Sequence, residues 1–371
     1  MRSERKAFAV SLLPRPKHGG NLDWAAAIAG CPVSSILDFS ASINPLGPPE
    51  SALTAIKNHL TSLTRYPDPG YWQLRSALAQ WHDIGPDWIL PGNGAAELLT
   101  WAGRELAAFD SVYVLTPAFN DYERALKSFG GNICKHSLDL TTLKPVNPEK
   151  QGLLLNNPHN PTGKLWTVAA IRPYLSQFGL VVVDEAFMDF LPPQQQESLI
   201  SLLPEYPNLV ILRSLTKFYS LPGLRLGYVL AHPERLLQWQ RWRDPWSVNN
   251  LAVVAAIAGI EDRDFQKQTW DWLTAAREDL WQGLANFPQL QPQTSAANFL
   301  LVQSQSSCLP LQEALLKYHR IFIRDCLSFP ELGSNYFRVA VRLPAENQRL
   351  LSALESILAA SDINNKKAPA N

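Results

Sequence analysis

Four short apolar runs, at residues 112–115, 152–155, 180–183 and 209–212, recur through the middle of this chain, and each is followed by loop residues. A strand with one wet face alternates apolar and polar side chains. An unbroken apolar run of this length instead fits a strand buried on both faces. Helical stretches between the runs predict an α/β fold with a three-layer, largely parallel central sheet. Ligands of such sheets bind beyond the carboxyl ends of the strands, so the loops after the runs are the first place to look for chemistry. Further strands at 298–302 and 336–341, with helices between and after them, predict a smaller α+β domain.

Those loops carry reactive groups in a definite order. Gly92-Asn93-Gly94-Ala95-Ala96-Glu97 is a glycine turn ahead of an apolar helix, a place where backbone N–H groups meet a phosphate. Thr116-Pro117-Ala118-Phe119 puts an aromatic ring just past the first run, suited to stacking on a planar ligand. In Asn156-Asn157-Pro158-His159-Asn160-Pro161-Thr162-Gly163 the two Asn-Pro steps fix a turn that holds an asparagine amide in place. Asp184 ends the third run, where a carboxylate is costly unless paired. Ser214-Leu215-Thr216-Lys217 and Arg225 follow the fourth. An amine for a Schiff base, a carboxylate for a ring nitrogen and a Ser/Arg pair for a phosphate are what pyridoxal 5'-phosphate requires of a protein.

Charge supports a small ligand over a polymer. Lys plus Arg and Asp plus Glu both number 33, so the chain lacks the extended basic field of a nucleic-acid or membrane-surface partner. Cys31, Cys134, Cys308 and Cys326 are scattered without a CxxC pair, which predicts buried thiols in a reducing compartment and no metal site. The apolar stretch at 7–13 is short and followed by Pro14 and Pro16, too short for a secretory signal or a span, so a cytoplasmic protein is expected. A tail that frays after Asp362 is expected as well. A long amphipathic stretch from Pro233 through Trp239, Trp242 and Trp246 reads as packing.

Taken together, GNGAAE, TPAF, NNPHNPTG, DEAF, SLTK and LPGLRLGY resemble the class I/II aminotransferase superfamily, the fold-type-I pyridoxal-phosphate enzymes, over nearly the whole chain. The resemblance implies that Lys217 is the Schiff-base lysine, Asp184 the pyridine-nitrogen partner and Asn160 the donor to the phenolic oxygen. By the same match Phe119 stacks on the ring, and Gly94, Ala95, Ala96, Ser214 and Arg225 hold the phosphate. Tyr66 is similar to the tyrosine that reaches the phosphate from a neighbouring subunit, which implies a homodimer. The implied division is an N-terminal arm and part of the small domain at 1–45, a cofactor-binding domain at 46–248 and a small domain at 249–371. One position departs from the pattern: relatives usually carry tyrosine three residues after the aspartate, and here it is Phe187.

Arg338 matches the superfamily's carboxylate-binding arginine, a bidentate use of a planar guanidinium. Arg324, after an apolar strand, and the arm His18-Gly19-Gly20-Asn21, whose glycines let backbone approach an anion, suggest a second anionic group on the substrate. With Phe187, these features are similar to a decarboxylating branch acting on a phosphorylated amino acid. The alternative is a neighbouring aminotransferase branch that uses 2-oxoglutarate.

Overall fold

The computed structural model describes residues 14–366, so the apolar stretch at 7–13 and the last five residues lie outside it. The chain divides into two units, Ile43–Trp272 and a second that joins Met1–Ser42 to Leu273–Asn371. Thirteen strands are present among the described residues. In chain order these are β1 Leu37–Asp38, β2 Ile89–Asn93, β3 Ser111–Leu115, β4 Ile133–His136, β5 Gln151–Asn156, β6 Leu180–Asp184 and β7 Leu209–Ser214. They continue with β8 Leu226–Ala231, β9 Leu290–Pro292, β10 Phe299–Ser304, β11 Ile321–Phe322, β12 Arg324–Asp325 and β13 Tyr336–Ala340.

The first unit is built on a seven-stranded sheet of order β2-β8-β7-β6-β5-β3-β4. All four apolar runs are strands of it, and β4, β3, β5, β6 and β7 pair in parallel. β8 alone runs against its neighbours β2 and β7, which the apolar pattern did not disclose because direction leaves no mark on burial. Every residue of β5, β6, β7 and β8 is buried. On one face Val112, Val114, Leu154, Val182, Val210, Leu212 and Val229 meet Leu98, Leu99, Ala102 and Leu106 of the helix Gly94–Leu106. On the other, alternate side chains such as Leu153, Val181, Val183 and Ile211 are equally buried. Each fully buried Val or Leu contributes roughly 1.5–3 kcal/mol, which makes this two-sided burial the main hold on the sheet.

The second unit carries a four-stranded antiparallel sheet of order β12-β13-β10-β9, with the pair β1 and β11 beside it. Its last helix, Pro344–Lys366, runs on past Asp362, where the sequence suggested fraying. No helix among the described residues is long and apolar enough to cross a membrane. All four cysteines are free; Cys308 and Cys326 are buried, whereas Cys31 and Cys134 are only partly so.

The tryptophan-rich stretch needs a larger correction. The helix Pro233–Trp242 stops at its second tryptophan, short of Pro245, which disfavours helical geometry for the residue before it. Trp239 is fully buried and donates to Glu105 Oε2 at 2.8 Å, and Trp242 packs on the same core. Trp246 does not pack there: it lies in a loop and is 45% exposed.

Candidate active site

Parallel strands in register align their ends, and here the ends are polar. Asn156 on β5 pairs with Asp184 on β6, and β7 alongside finishes in Ser214. Asp184 is buried and held by two donors, the Tyr122 hydroxyl at 2.8 Å on Oδ2 and the Ala186 N–H at 3.0 Å on Oδ1. Burial pushes its carboxyl above the ordinary value, while the Lys217 charge and the Tyr122 hydrogen bond pull it back. Tyr122 is pushed well up by its own burial and by Asp184, so it remains a protonated donor. The sequence reading missed Tyr122. Its only signal was a position three residues after Phe119, whose ring meets it edge to face at 5.6 Å.

Lys217 lies on the short helix Leu215–Phe218 that leaves β7 directly. Its carbonyl accepts from the Asn44 N–H at 3.0 Å. The Asn44 amide in turn donates to Phe218 O at 2.8 Å and Thr269 Oγ1 at 2.9 Å. Lys217 Nζ sits 4.7 Å over the Phe187 ring, so the residue that departs from the family pattern presents an aromatic face to the amine. Asn160 is buried, with its N–H on Asn156 Oδ1 at 3.2 Å, and Asn156 Nδ2 donates to Pro158 O at 2.7 Å. Beside it, burial pushes His159 down to about 3, which makes it a neutral imidazole paired through Nδ1 with Thr162 Oγ1 at 2.8 Å.

A cradle for a small anion lies across β7, β8 and β2, where Ser214, Gly227 and Gly92 form one register row. A Cβ on Gly227 would stand 2.5 Å from Ala95 N, so only glycine lets the helix Gly94–Leu106 start against the sheet. Gly94 has φ +75°, and a Cβ there would meet Arg225 Nη2 at 2.6 Å. Arg225, itself in the left-handed region at φ 56°, is thereby laid over the first turn of that helix, with Nη1 on Pro222 O at 3.2 Å. Ser214 Oγ and Thr216 Oγ1 share a hydrogen bond of 2.8 Å. Two hydroxyls, a guanidinium and a helix N-terminus without a side-chain cap make a donor set suited to a phosphate.

Behind the cradle a buried ion cluster escaped the sequence reading. Arg213 is 1% exposed, with Nη1 donating to Asp189 Oδ1 at 2.6 Å and Nε 3.1 Å from Glu185 Oε2. Glu185 also accepts from Ser198 Oγ at 2.7 Å and from Leu199 N–H at 2.9 Å. No spacing rule announces it, because its members come from three separate segments.

In the second unit, Arg324 on β12 and Arg338 on β13 are direct register partners. Opposed residues of an antiparallel pair share a face, and like charges there repel. Burial, with the Arg324 charge adding to it, pushes Arg338 down to about 10, and its guanidinium lies 4.6 Å over the Phe299 ring. Arg324 is 4% exposed and donates to Pro16 O at 3.2 Å, to Lys17 O and to Ser328 Oγ at 2.6 Å. It therefore fastens the segment just before His18, which is exposed. Gly19 passes so close to Ser40 that a Cβ would lie 2.1 Å from its carbonyl oxygen. Asn21, left without a role in the sequence, caps the helix Leu22–Ala29 by accepting from Trp24 N–H at 3.0 Å. Arg342, just past β13, pairs with Glu346, its Nε and Nη2 on the two carboxylate oxygens at 3.1 and 3.0 Å.

Residues 34–354 match the family described as Aminotransferase class I and II. The chain is 39% identical to threonine-phosphate decarboxylase of Salmonella typhimurium over 354 residues, covering 92% of this chain and 96% of that protein. It is 33% identical to histidinol-phosphate aminotransferase 1 of Mannheimia succiniciproducens, covering 88% and 91%. The crystal structure of L-threonine-O-3-phosphate decarboxylase from Porphyromonas gingivalis superimposes with a TM-score of 0.79 at 25% identity, covering 86% of this chain and 99% of that one.

Proposed function

Since the chain belongs to the aminotransferase class I and II family, we propose that it is a pyridoxal-phosphate-dependent carboxy-lyase. Its substrate on this reading is O-phospho-L-threonine, converted to CO2 and (R)-1-amino-2-propanol O-2-phosphate, a phosphorylated amino alcohol for cobalamin synthesis. The residues fit the cofactor. Two glycines keep clear the cradle that Cβ atoms would fill, and a protonated ring nitrogen would give Asp184, whose carboxyl burial pushes up, a further positive partner. Ser214, Thr216, Arg225 and the N–H groups of Gly94, Ala95 and Ala96 would hold its phosphate, Phe119 one face of its ring and Asn160 its phenolic oxygen.

When bound, pyridoxal phosphate supplies an electron sink for the pair of electrons left at the substrate α-carbon. Asp184, oriented by Tyr122 and Ala186, would keep a proton on the ring nitrogen. By the family resemblance, Arg338 would take the substrate carboxylate. After CO2 leaves, Lys217 Nζ would deliver the proton that replaces it at the α-carbon. Phe187 keeps an apolar wall beside that amine.

The opposed pair Arg324 and Arg338 supports a substrate that bears two anionic groups. Two guanidiniums brought together against their repulsion suit one molecule bearing both a carboxylate and a phosphate. O-phospho-L-threonine has both; the 2-oxoglutarate of the aminotransferase alternative is also a dianion. What favours the decarboxylase reading is the higher identity to threonine-phosphate decarboxylase, 39% against 33%. The test is to supply O-phospho-L-threonine to the cofactor-loaded protein without any keto acid and follow CO2. Catalytic release is expected. Absence of release, with glutamate formed from histidinol phosphate and 2-oxoglutarate, would assign the aminotransferase reaction instead.

Arg324→Ala discriminates further. Loss of a charge-assisted contact to phosphate, worth about 1.5–3 kcal/mol, should raise KM for O-phospho-L-threonine about 10- to 100-fold. L-threonine, which lacks the phosphate, should be affected far less. Equal losses for both would remove Arg324 from phosphate binding and leave it as the fastener of the arm. We further propose that the protein acts as a homodimer in which Tyr66 of one copy meets the cofactor phosphate held by the other.

A further inference from the structure

Two exposed aromatic rings from distant loops lie against each other in the first unit. Tyr66 is 79% exposed, Trp246 is 45% exposed, and their ring centroids are 4.8 Å apart at an interplanar angle of 35°. Both loops are fixed from beneath. Asn250 Nδ2 donates to the carbonyls of Ser62 and Arg65, each at 2.9 Å, immediately before Tyr66. Asp68 then closes the following turn by accepting from Gly70 N–H and Trp72 N–H, both at 2.9 Å. On the other side the Tyr71 hydroxyl donates to Pro245 O at 3.1 Å and accepts from Val248 N–H at 3.0 Å. Tyr71 is only 2% exposed, so the loop bearing Trp246 is tied to the core on either side of the ring.

We propose that Trp246, seated by Tyr71, is a positioning residue that holds Tyr66 in the pose in which it meets the cofactor phosphate of a second copy of the chain. The proposal rests on the dimer reading of Tyr66. An exposed tyrosine samples several rotamers, and a hydrogen bond to one phosphate oxygen requires that most of them be given up. The tilted ring contact with Trp246 removes that freedom before the phosphate arrives, which is the general benefit of preorganisation. Trp246 acts on the phosphate through Tyr66 alone, so the two residues must be coupled.

The experiment measures pyridoxal-phosphate affinity by absorbance titration of resolved protein, with sedimentation reporting the dimer. Tyr66→Phe should weaken the cofactor about tenfold, the scale of one hydrogen bond to a charged group. Trp246→Ala should weaken it about two- to tenfold, the scale of one aromatic pair. Trp246→Phe should restore most of that loss. The double variant Tyr66→Phe/Trp246→Ala should be no weaker than Tyr66→Phe alone, with the dimer intact throughout. Losses that simply multiply in the double variant would overturn the proposal, as would an unaffected Trp246→Ala beside a weakened Tyr66→Phe. Dissociation of the Trp246→Ala dimer would overturn it too, by making Trp246 an interface residue. If Tyr66→Phe binds the cofactor normally, the role of Tyr66 itself is wrong and the proposal falls with it.

Discussion

Lys217→Ala is expected to retain the fold and lose turnover by at least about a thousandfold. Removing a group that both forms a covalent bond and transfers a proton forfeits two contributions, and positioned proton transfer alone accounts for roughly 10²–10⁴ in rate. The fold should survive because Lys217 contributes a carbonyl to Asn44 through its backbone, which alanine keeps, while its side chain is only partly buried. Two measurements check this. Borohydride should attach pyridoxal phosphate to the wild-type chain and fail to do so in the variant, and the thermal midpoints should agree closely. Residual activity within tenfold of wild type would refute the assignment of Lys217.

Arg213→Ala is expected to be the most damaging change away from the reacting groups. Arg213, Glu185 and Asp189 are all buried, and the arginine is what makes two carboxylates tolerable there. Removing one partner of a buried ion pair typically costs about 3–5 kcal/mol, because the charge left behind has neither water nor counter-ion. The loss should also acquire a pH dependence. Burial already pushes Glu185 and Asp189 above the ordinary carboxylate range, and Arg213 is the main opposing influence. Without it the folded-state values rise further above the unfolded ones. Stability from such groups is fully present below the unfolded pKa and is lost as pH rises through the folded value. The variant should therefore lie nearest to wild type in acid and fall away toward neutral pH. Denaturation midpoints at pH 5 and pH 8 test this, and a penalty that shrinks as pH rises would contradict the account. Arg213→Met joined to Glu185→Leu and Asp189→Leu should recover much of the stability, since the unpaired charges are then gone.

The chain's sequence by itself determined the buried sheet and the order of the reactive loops. Runs such as Leu180 to Val183 are apolar without alternation, and only burial on both faces satisfies them. Glycine and Asn-Pro steps are local chemistry too, so the turns at Gly92 to Gly94 and at Asn160 were legible one residue at a time. Trp246 was misread because helical periodicity was carried through Pro245, where backbone sterics end it.

What only the tertiary structure decided were contacts between segments far apart in the chain. The Tyr122 hydroxyl on Asp184 joins residues 62 apart, and Arg324 meets Lys17 across 307. Arg324 and Arg338 become neighbours through strand register, which a shift of one residue would abolish. Periodicity and propensity are properties of a few consecutive residues and carry no record of such pairings. Which buried charges are neutralised, and which ring supports which, follows from where the chain returns in space.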